Sequence, residues 1–345
     1  MKNFIKLFFT LTLLCSFFLT GCGDDGKDPV SWYDGYKVNL TEEQGNSYTG
    51  DYFPIEEGYT CSYSGSVKMT TTVTFMGNTE TEPTDAPAIG MLKVLAARNI
   101  PLPSGTISLY PVVDYSMTGG GAIYDTSRFF TSDEEAVYVK AIKLSDGSYM
   151  EVENPVFIKK NLVVGDSWET APRMDMTKLL AAESEADGPQ TDITLTAKAK
   201  FFVVGHENVS VPMGDFNAMR LEQISDINMT GKISNEGATV DMNITAQMAA
   251  VYHMVPDTGI VKQDITGPLN MTMSFSGISM TININIEKSE LELTALGGDT
   301  YKNPIELPER EISAELKKIL NTPEKMMMFN MSKKIAKAIK NNLSF

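Results

Sequence analysis

The residues able to do acid–base chemistry at neutral pH are few. The 345-residue chain holds two histidines, His206 and His253. A Ser-His-acid hydrolase would need one of them beside a serine and a carboxylate, so these two are the positions to test for hydrolysis. His206 lies in Gly205-His206-Glu207-Asn208, which reads as a turn, and His253 closes a long alternating run. No nucleophile elbow accompanies them. There is also no HExxH, CxxC, phosphate loop or dinucleotide fingerprint, and Gly119-Gly120-Gly121 lacks the lysine and helix that a phosphate loop requires. The acids are scattered without the spacing of a calcium loop. A glycosidase pair of carboxylates has no sequence spacing to look for. The expectation is a protein that is not an enzyme, with no catalytic residues, no cofactor and no resident metal.

Thiol chemistry is confined to three cysteines. Lys2 and Lys6 precede an apolar run from Leu7 to Leu19, too short to span a bilayer comfortably but suited to an export signal. Leu19-Thr20-Gly21-Cys22 follows, and it resembles the lipobox of bacterial lipoproteins. The resemblance implies a diacylglyceryl thioether on Cys22, cleavage before it and acylation of the new amino terminus. Several acyl chains hold a protein to a membrane far more firmly than one. Cys15 leaves with the signal, so only Cys61 remains and no internal disulfide is available. Cys61 sits in Tyr59-Thr60-Cys61-Ser62-Tyr63, a strand-like alternation, where it reads as a buried small hydrophobe.

The net charge of −15 becomes −17 once the signal and its two lysines are gone. Such a surface repels phosphate backbones and argues against nucleic-acid binding. It favours solubility, or partners that are cationic.

These residues must be positioned mainly by strands. From Tyr52 to about Thr294 the hydrophobic period is two. Val240, Met242, Ile244, Ala246, Met248, Ala250 and Tyr252 alternate with polar neighbours, predicting one long strand with a wet and a dry face. Leu269, Met271, Met273 and Phe275 continue the pattern, and Ile278, Met280, Ile282, Ile284 and Ile286 resume it with the parity flipped. A bulge at Gly277 or a hairpin would repair the register. Turn-like stretches are Gly77 to Pro87, Gly119–Gly121, Asp146-Gly147, Glu183 to Gln190 and Asn235–Gly237. Short helices are expected over Ala88–Arg98 and Met174–Ala182. Long one-sided strands must curl, close or stack. The predicted fold is therefore mainly β: a strongly curved antiparallel sheet or unclosed barrel with a C-terminal helical tail. The domains are a signal over 1–21, a tether over 22–48, the β domain over 49–300 and the tail over 301–345. The tail carries Thr322-Pro323-Glu324 as a helix start and a net +4 over 322–345. That basic helix could dock on the acidic domain or lie on an anionic membrane.

Four patterns resemble the TapB-like envelope lipoproteins, a family of unknown function. They are Tyr52-Phe53-Pro54-Ile55 with Gly58 and Tyr63, Leu162–Trp168, Val211–Leu221, and Gly259–Lys262 after Tyr252-His253. Cys61 departs from the pattern, where Trp is expected. The resemblance implies a curved sheet similar to the unclosed barrels of the LolA, LolB and LppX carriers, and it implies no activity. In the residues themselves, Gly58 and Gly165 precede strand-like runs where a turn calls for positive φ, and Val211-Pro212 with Gly214-Asp215 forms a turn.

Methionine is abundant, at 21 residues. Met242, Ile244, Met248, Met271, Met273, Phe275 and Met280 fall on dry strand faces. They could line a concave surface holding a lipid or other hydrophobic ligand, or simply fill the core. A second reading makes Trp32, Tyr33 and Tyr36 a glycan-binding or interaction patch at the cell surface. Either way the expected location is the cell envelope, as an outer-membrane lipoprotein facing the periplasm or the surface, with a membrane contact through its lipid.

Overall fold

A computed structural model describes residues 35–118, 121–144, 147–153, 156–170, 190–235, 238–275 and 278–297. Cys22, Trp32, Tyr33 and the expected helices over 174–182 and in the tail lie outside these residues.

Sixteen strands account for most of the described chain. The long ones are β2 (Thr60–Phe75), β3 (Asn78–Val94), β5 (Gly105–Thr118), β6 (Gly121–Ser132), β12 (Gln190–Val211), β13 (Gly214–Asn235), β14 (Ala238–Val255), β15 (Gly259–Phe275) and β16 (Ile278–Leu296). The short ones are β1 (Ser47–Thr49), β4 (Arg98–Leu102), β7 (Ala136–Lys143), β8 (Tyr149–Glu151), β9 (Val156–Lys159), β10 (Asn161–Val163) and β11 (Ser167–Thr170). One antiparallel sheet runs β11-β12-β13-β14-β15-β16-β2-β3-β5-β6-β7-β8, with β4 on β5 and β9 on β7; β1 pairs β10 separately. The sheet is not closed into a barrel, because β11 and β8 end the path. Phe275 pairs with Ile278, so the parity flip there is a hairpin.

The alternation explains the length. β12 and β13 each run 22 residues, about 70 Å at the rise of an antiparallel strand. Met76 and Gly77 (φ 50° and 80°) make the two-residue turn between β2 and β3, the turn whose twist matches its strands. Gly58 and Gly165 adopt φ of 87° and 88°, as their positions before strands require.

Dry faces converge in one continuous core that includes Tyr52, Phe53, Cys61, Trp168, Phe201, Leu221, Tyr252 and the methionines of β14–β16. Met242, Met273, Met280 and Phe75 stand directly opposite one another across four strands, a packed row with aromatic and thioether contacts. A smaller cluster of Ile100, Leu102, Leu109, Phe129 and Ala141 sits under β4. Between β5 and β6 the buried Arg128 guanidinium is paired with Asp114. The sheet curls tightly at one end. β12 touches β15 and β16, and the Met213 N–H at the β12–β13 turn donates to the Leu293 carbonyl of β16 at 3.1 Å.

The wet face is uncharged over much of the sheet. Thr230, Asn243, Thr272, Thr281, Thr74 and Thr79 form one cross-strand row, and Asn228, Thr245, Asn270, Asn283, Thr72 and Thr81 the next. Thr72 bonds Thr81 at 3.2 Å and Thr74 bonds Thr79 at 3.1 Å.

Three local expectations change. Residues 78–87 are strand rather than turn, and 88–98 are strand and connection rather than helix. The prolines that suggested a break are tolerated because β3 pairs β5 only from Ile89 onward. No other described strand pairs Asn78–Ala88 on that side, and hairpin parity turns the odd positions, Pro83 and Pro87 among them, away from β2, where the ladder needs no N–H. His206 lies within β12. A register shift between Val203 and Gly205, with Gly205 at φ 121°, lets the strand bulge and continue.

Candidate functional site

Register assembles a charged patch that the linear sequence scatters. Arg220 on β13, His253 on β14, Lys262 on β15 and Glu292 on β16 stand in one row, with Glu222, Val251, Asp264 and Glu290 in the adjacent one. These residues point away from the core, which takes their neighbours Leu221, Tyr252 and Val261. The end of β12 comes over this patch. Glu207, Asn208, Val209 and Ser210 share with Arg220, Val251, His253, Lys262 and Asp264 a groove of about 400 Å³.

Inside it the charges are tightly paired. Arg220 donates to Glu207 at 3.1 Å and to Glu222 at 2.7 Å. Lys262 donates to Glu290 at 2.7 Å and Glu292 at 2.8 Å. His253 Nε2 meets the Glu207 carboxylate at 3.0 Å, while its buried Nδ1 has no partner. Burial pushes the His253 pKa down, so the ring is held neutral against the pull of Glu207. Burial also pushes Glu207 up, but hydrogen bonds from His253 and Arg220 outweigh it and hold that carboxyl below the ordinary range. Burial raises Asp264 despite nearby Lys262. For Lys262, burial works against the charge, yet the bonds to Glu290 and Glu292 win and raise its pKa.

Among the described residues this arrangement is a His–Glu pair without an attached nucleophile. Ser210 lines the same groove, but its hydroxyl donates to Asp215 at 2.5 Å. The two histidines do not converge, because His206 stands opposite Met219 and His253 opposite Arg220, which puts them on opposite faces of the sheet. His206 instead contacts Glu42 at 2.9 Å and the edge of Tyr48. Among the described residues no cluster of three or more His, Cys, Asp and Glu is placed to hold a metal.

The contacts of His206 belong to a strap. Residues 36–50 run along the sheet, tied by Thr41 N–H to Val204 O (3.1 Å), Gly45 N–H to Val164 O (2.9 Å) and Gly50 N–H to Lys160 O (3.0 Å). Tyr36 starts it, donating to Glu222 at 2.8 Å and lying 5.6 Å from the Phe202 ring. Burial and then the Glu222 bond push its hydroxyl up to about 12. Much of the segment expected to be tether is therefore docked.

Six of the seven apolar residues singled out from sequence are in the core. Met242, Ile244, Met248, Met271, Met273 and Met280 are 0–7% exposed; the Phe275 side chain lies outside the described residues. A neighbouring gap lined by Phe157, Phe201, Tyr252 and Met254 measures about 10 Å³, scarcely room for one water. Cys61 is fully buried, with its thiol donating to the Tyr59 hydroxyl at 2.8 Å, and burial raises its pKa. The groove was not foreseen from sequence. Its available signal was charge recurring at i, i+2 on wet faces elsewhere built from Thr and Asn: Arg220/Glu222, Lys262/Asp264 and Lys288/Glu290/Glu292.

No protein-family model matches the chain, and no curated protein does. Among solved structures it is similar to a protein described as exported, with a YmcC-like fold, from Bacteroides fragilis (11% identity, 72% of this chain and 100% of that one, TM-score 0.21). A protein described as a lipoprotein from Parabacteroides distasonis gives 12% identity, 71% and 99% coverage and a TM-score of 0.22. A loop-deletion mutant of OmpT, an outer membrane protein of Vibrio cholerae, gives 8% identity, 68% and 99% coverage and a TM-score of 0.18.

Proposed function

We propose that the chain is a lipid-anchored protein of the bacterial envelope, held through Cys22, whose β domain binds rather than catalyses. The carrying observation is the lysine-led apolar run ending in Leu19-Thr20-Gly21-Cys22. The docked strap is consistent with it. Tyr36 is fixed on Glu222 only fourteen residues after Cys22, so the domain stays within at most about 50 Å of the anchor. The binding reading rests on a His–Glu pair with no nucleophile poised on it and on cations already satisfied by carboxylates. Metabolic labelling with tritiated palmitate tests the anchor. The natural chain takes the label, and Cys22→Ala takes none and accumulates as precursor; a variant still processed and still partitioning into detergent would overturn it. Fractionation on a sucrose gradient then tests the outer-membrane placement.

A second reading keeps a hydrophobic ligand on the methionine-rich face and is favoured by the concentration of soft side chains there. That face is closed in the structure, so a ligand would enter by opening the sheet. Organic extraction of the purified protein followed by mass spectrometry finds a bound lipid under this reading, and an empty extract counts against it. The glycan reading is weakened at Tyr36, whose ring and hydroxyl are both engaged.

A further inference from the structure

We propose that the groove between the end of β12 and the faces of β14 and β15 binds a small organic cation, a primary ammonium or guanidinium group, on the Asp264 carboxylate. The inference starts from which charges are already spent. Arg220 lies between Glu207 and Glu222, and Lys262 lies between Glu290 and Glu292. Lys288 also sits on Glu290. Asp264 alone among the ionised groups lining the groove has no hydrogen-bond or ion-pair partner, and it stands directly opposite Glu290, a like-charge juxtaposition that costs stability.

Counting the charged groups that line the groove and the ion-pair network they belong to, five carboxylates (Glu207, Glu222, Asp264, Glu290, Glu292) face three cations (Arg220, Lys262, Lys288), a local balance of −2. An anion would meet that negative balance and two cations already doubly bound. A cation meets a carboxylate that Lys262, Lys288 and His253 attract without bonding it directly, in a chain whose overall charge of −15 also attracts it. His253 lines the same groove, with its Nε2 on the Glu207 carboxylate at 3.0 Å. Val209 and Val251 supply apolar wall for a short methylene stem, and about 400 Å³ falls within the range of small-molecule sites.

Isothermal titration calorimetry on the full-length protein in detergent tests this with agmatine, n-butylammonium, 1-butanol and inorganic phosphate. Agmatine and butylammonium bind the natural protein, while butanol and phosphate do not. Asp264→Asn weakens agmatine at least about tenfold, the loss expected of one charge-assisted hydrogen bond. Asp241→Asn, which removes the same charge on the outer face of β14 away from the groove, changes it less than twofold. Equal losses in the two variants would reveal diffuse attraction to an acidic surface and overturn the proposal, as would phosphate binding. If Asp264→Asn does not fold by circular dichroism, the natural protein decides: butylammonium no tighter than butanol sinks the assignment, and a shift of the His253 ring protons on adding butylammonium but not butanol supports it.

Discussion

If the methionine face is a packed core, Met271→Ala and Met273→Ala should both destabilise the domain, and by different amounts. Both are buried, at 0% and 1% exposed, and truncating a buried Met, Leu or Ile to Ala costs about 2–5 kcal/mol, according to how far the neighbours collapse into the space. Met271 stands between Ile244 and Ile282, β-branched side chains with little rotameric freedom, so its cavity stays open and the cost should be about 3–5 kcal/mol. Met273 stands between Met242 and Met280. Those flexible thioethers can swing into the gap, which places the cost at about 2–3 kcal/mol. Met213→Ala, at a turn position 40% exposed, should stay within about 0.5 kcal/mol. Urea unfolding at equal m-values reads all three. Costs below about 1 kcal/mol at both core positions would show that the face is not packed, and would return weight to a ligand cavity. A larger loss at Met273 than at Met271 would refute the argument from neighbour stiffness.

Acid should selectively weaken the His253 site. Its folded pKa is depressed by burial, so the unfolded chain takes the proton first, near pH 6.5. The stabilisation is whole above that value and is lost as pH falls through the folded pKa. Glu207, also depressed, acts in the same sense at lower pH, while Asp264, raised, acts in the opposite sense. Urea stability measured from pH 8 to pH 5 should therefore fall in the natural protein relative to His253→Gln, and a pH-independent difference would refute the assignment. The strap gives another test. Gly205→Ala forces an alanine to φ 121° and puts its Cβ 2.6 Å from Thr41 Oγ1, so limited proteolysis should open residues 36–50. Gly214→Ala, also at positive φ but with no neighbour within 4 Å, should carry backbone strain of about 1–3 kcal/mol and leave the strap protected.

The fold class was legible because a period of two, sustained over the thirteen residues 240–252 and repeated in other runs, is the signature of a strand with one wet and one dry face. The long strands over 240–252 and 269–286 are where the alternation places them. The misread stretches have physical causes. Pro83, Pro87 and the acids near them resemble a loop, yet on an edge they cost the ladder nothing. Gly205-His206 resembles a turn, but the strand absorbs it as a bulge. Burial of Cys61 was readable from its alternating neighbours. The groove was not, because Arg220, His253, Lys262 and Asp264 meet only through register, and register follows from turns and bulges that periodicity does not reveal. The docking of Tyr36 likewise depends on Glu222, 186 positions away.

The edge of β3 that no other described strand covers bears on how copies of the chain meet. An edge strand is a template on which a neighbouring copy could zip. Two of every four outward backbone donors between Thr81 and Pro87 are replaced by pyrrolidine rings, and Glu80, Glu82 and Asp85 repel an approaching copy of the same segment. Copies that meet along this segment stay individuals, because the place where they would most easily merge cannot complete the seam.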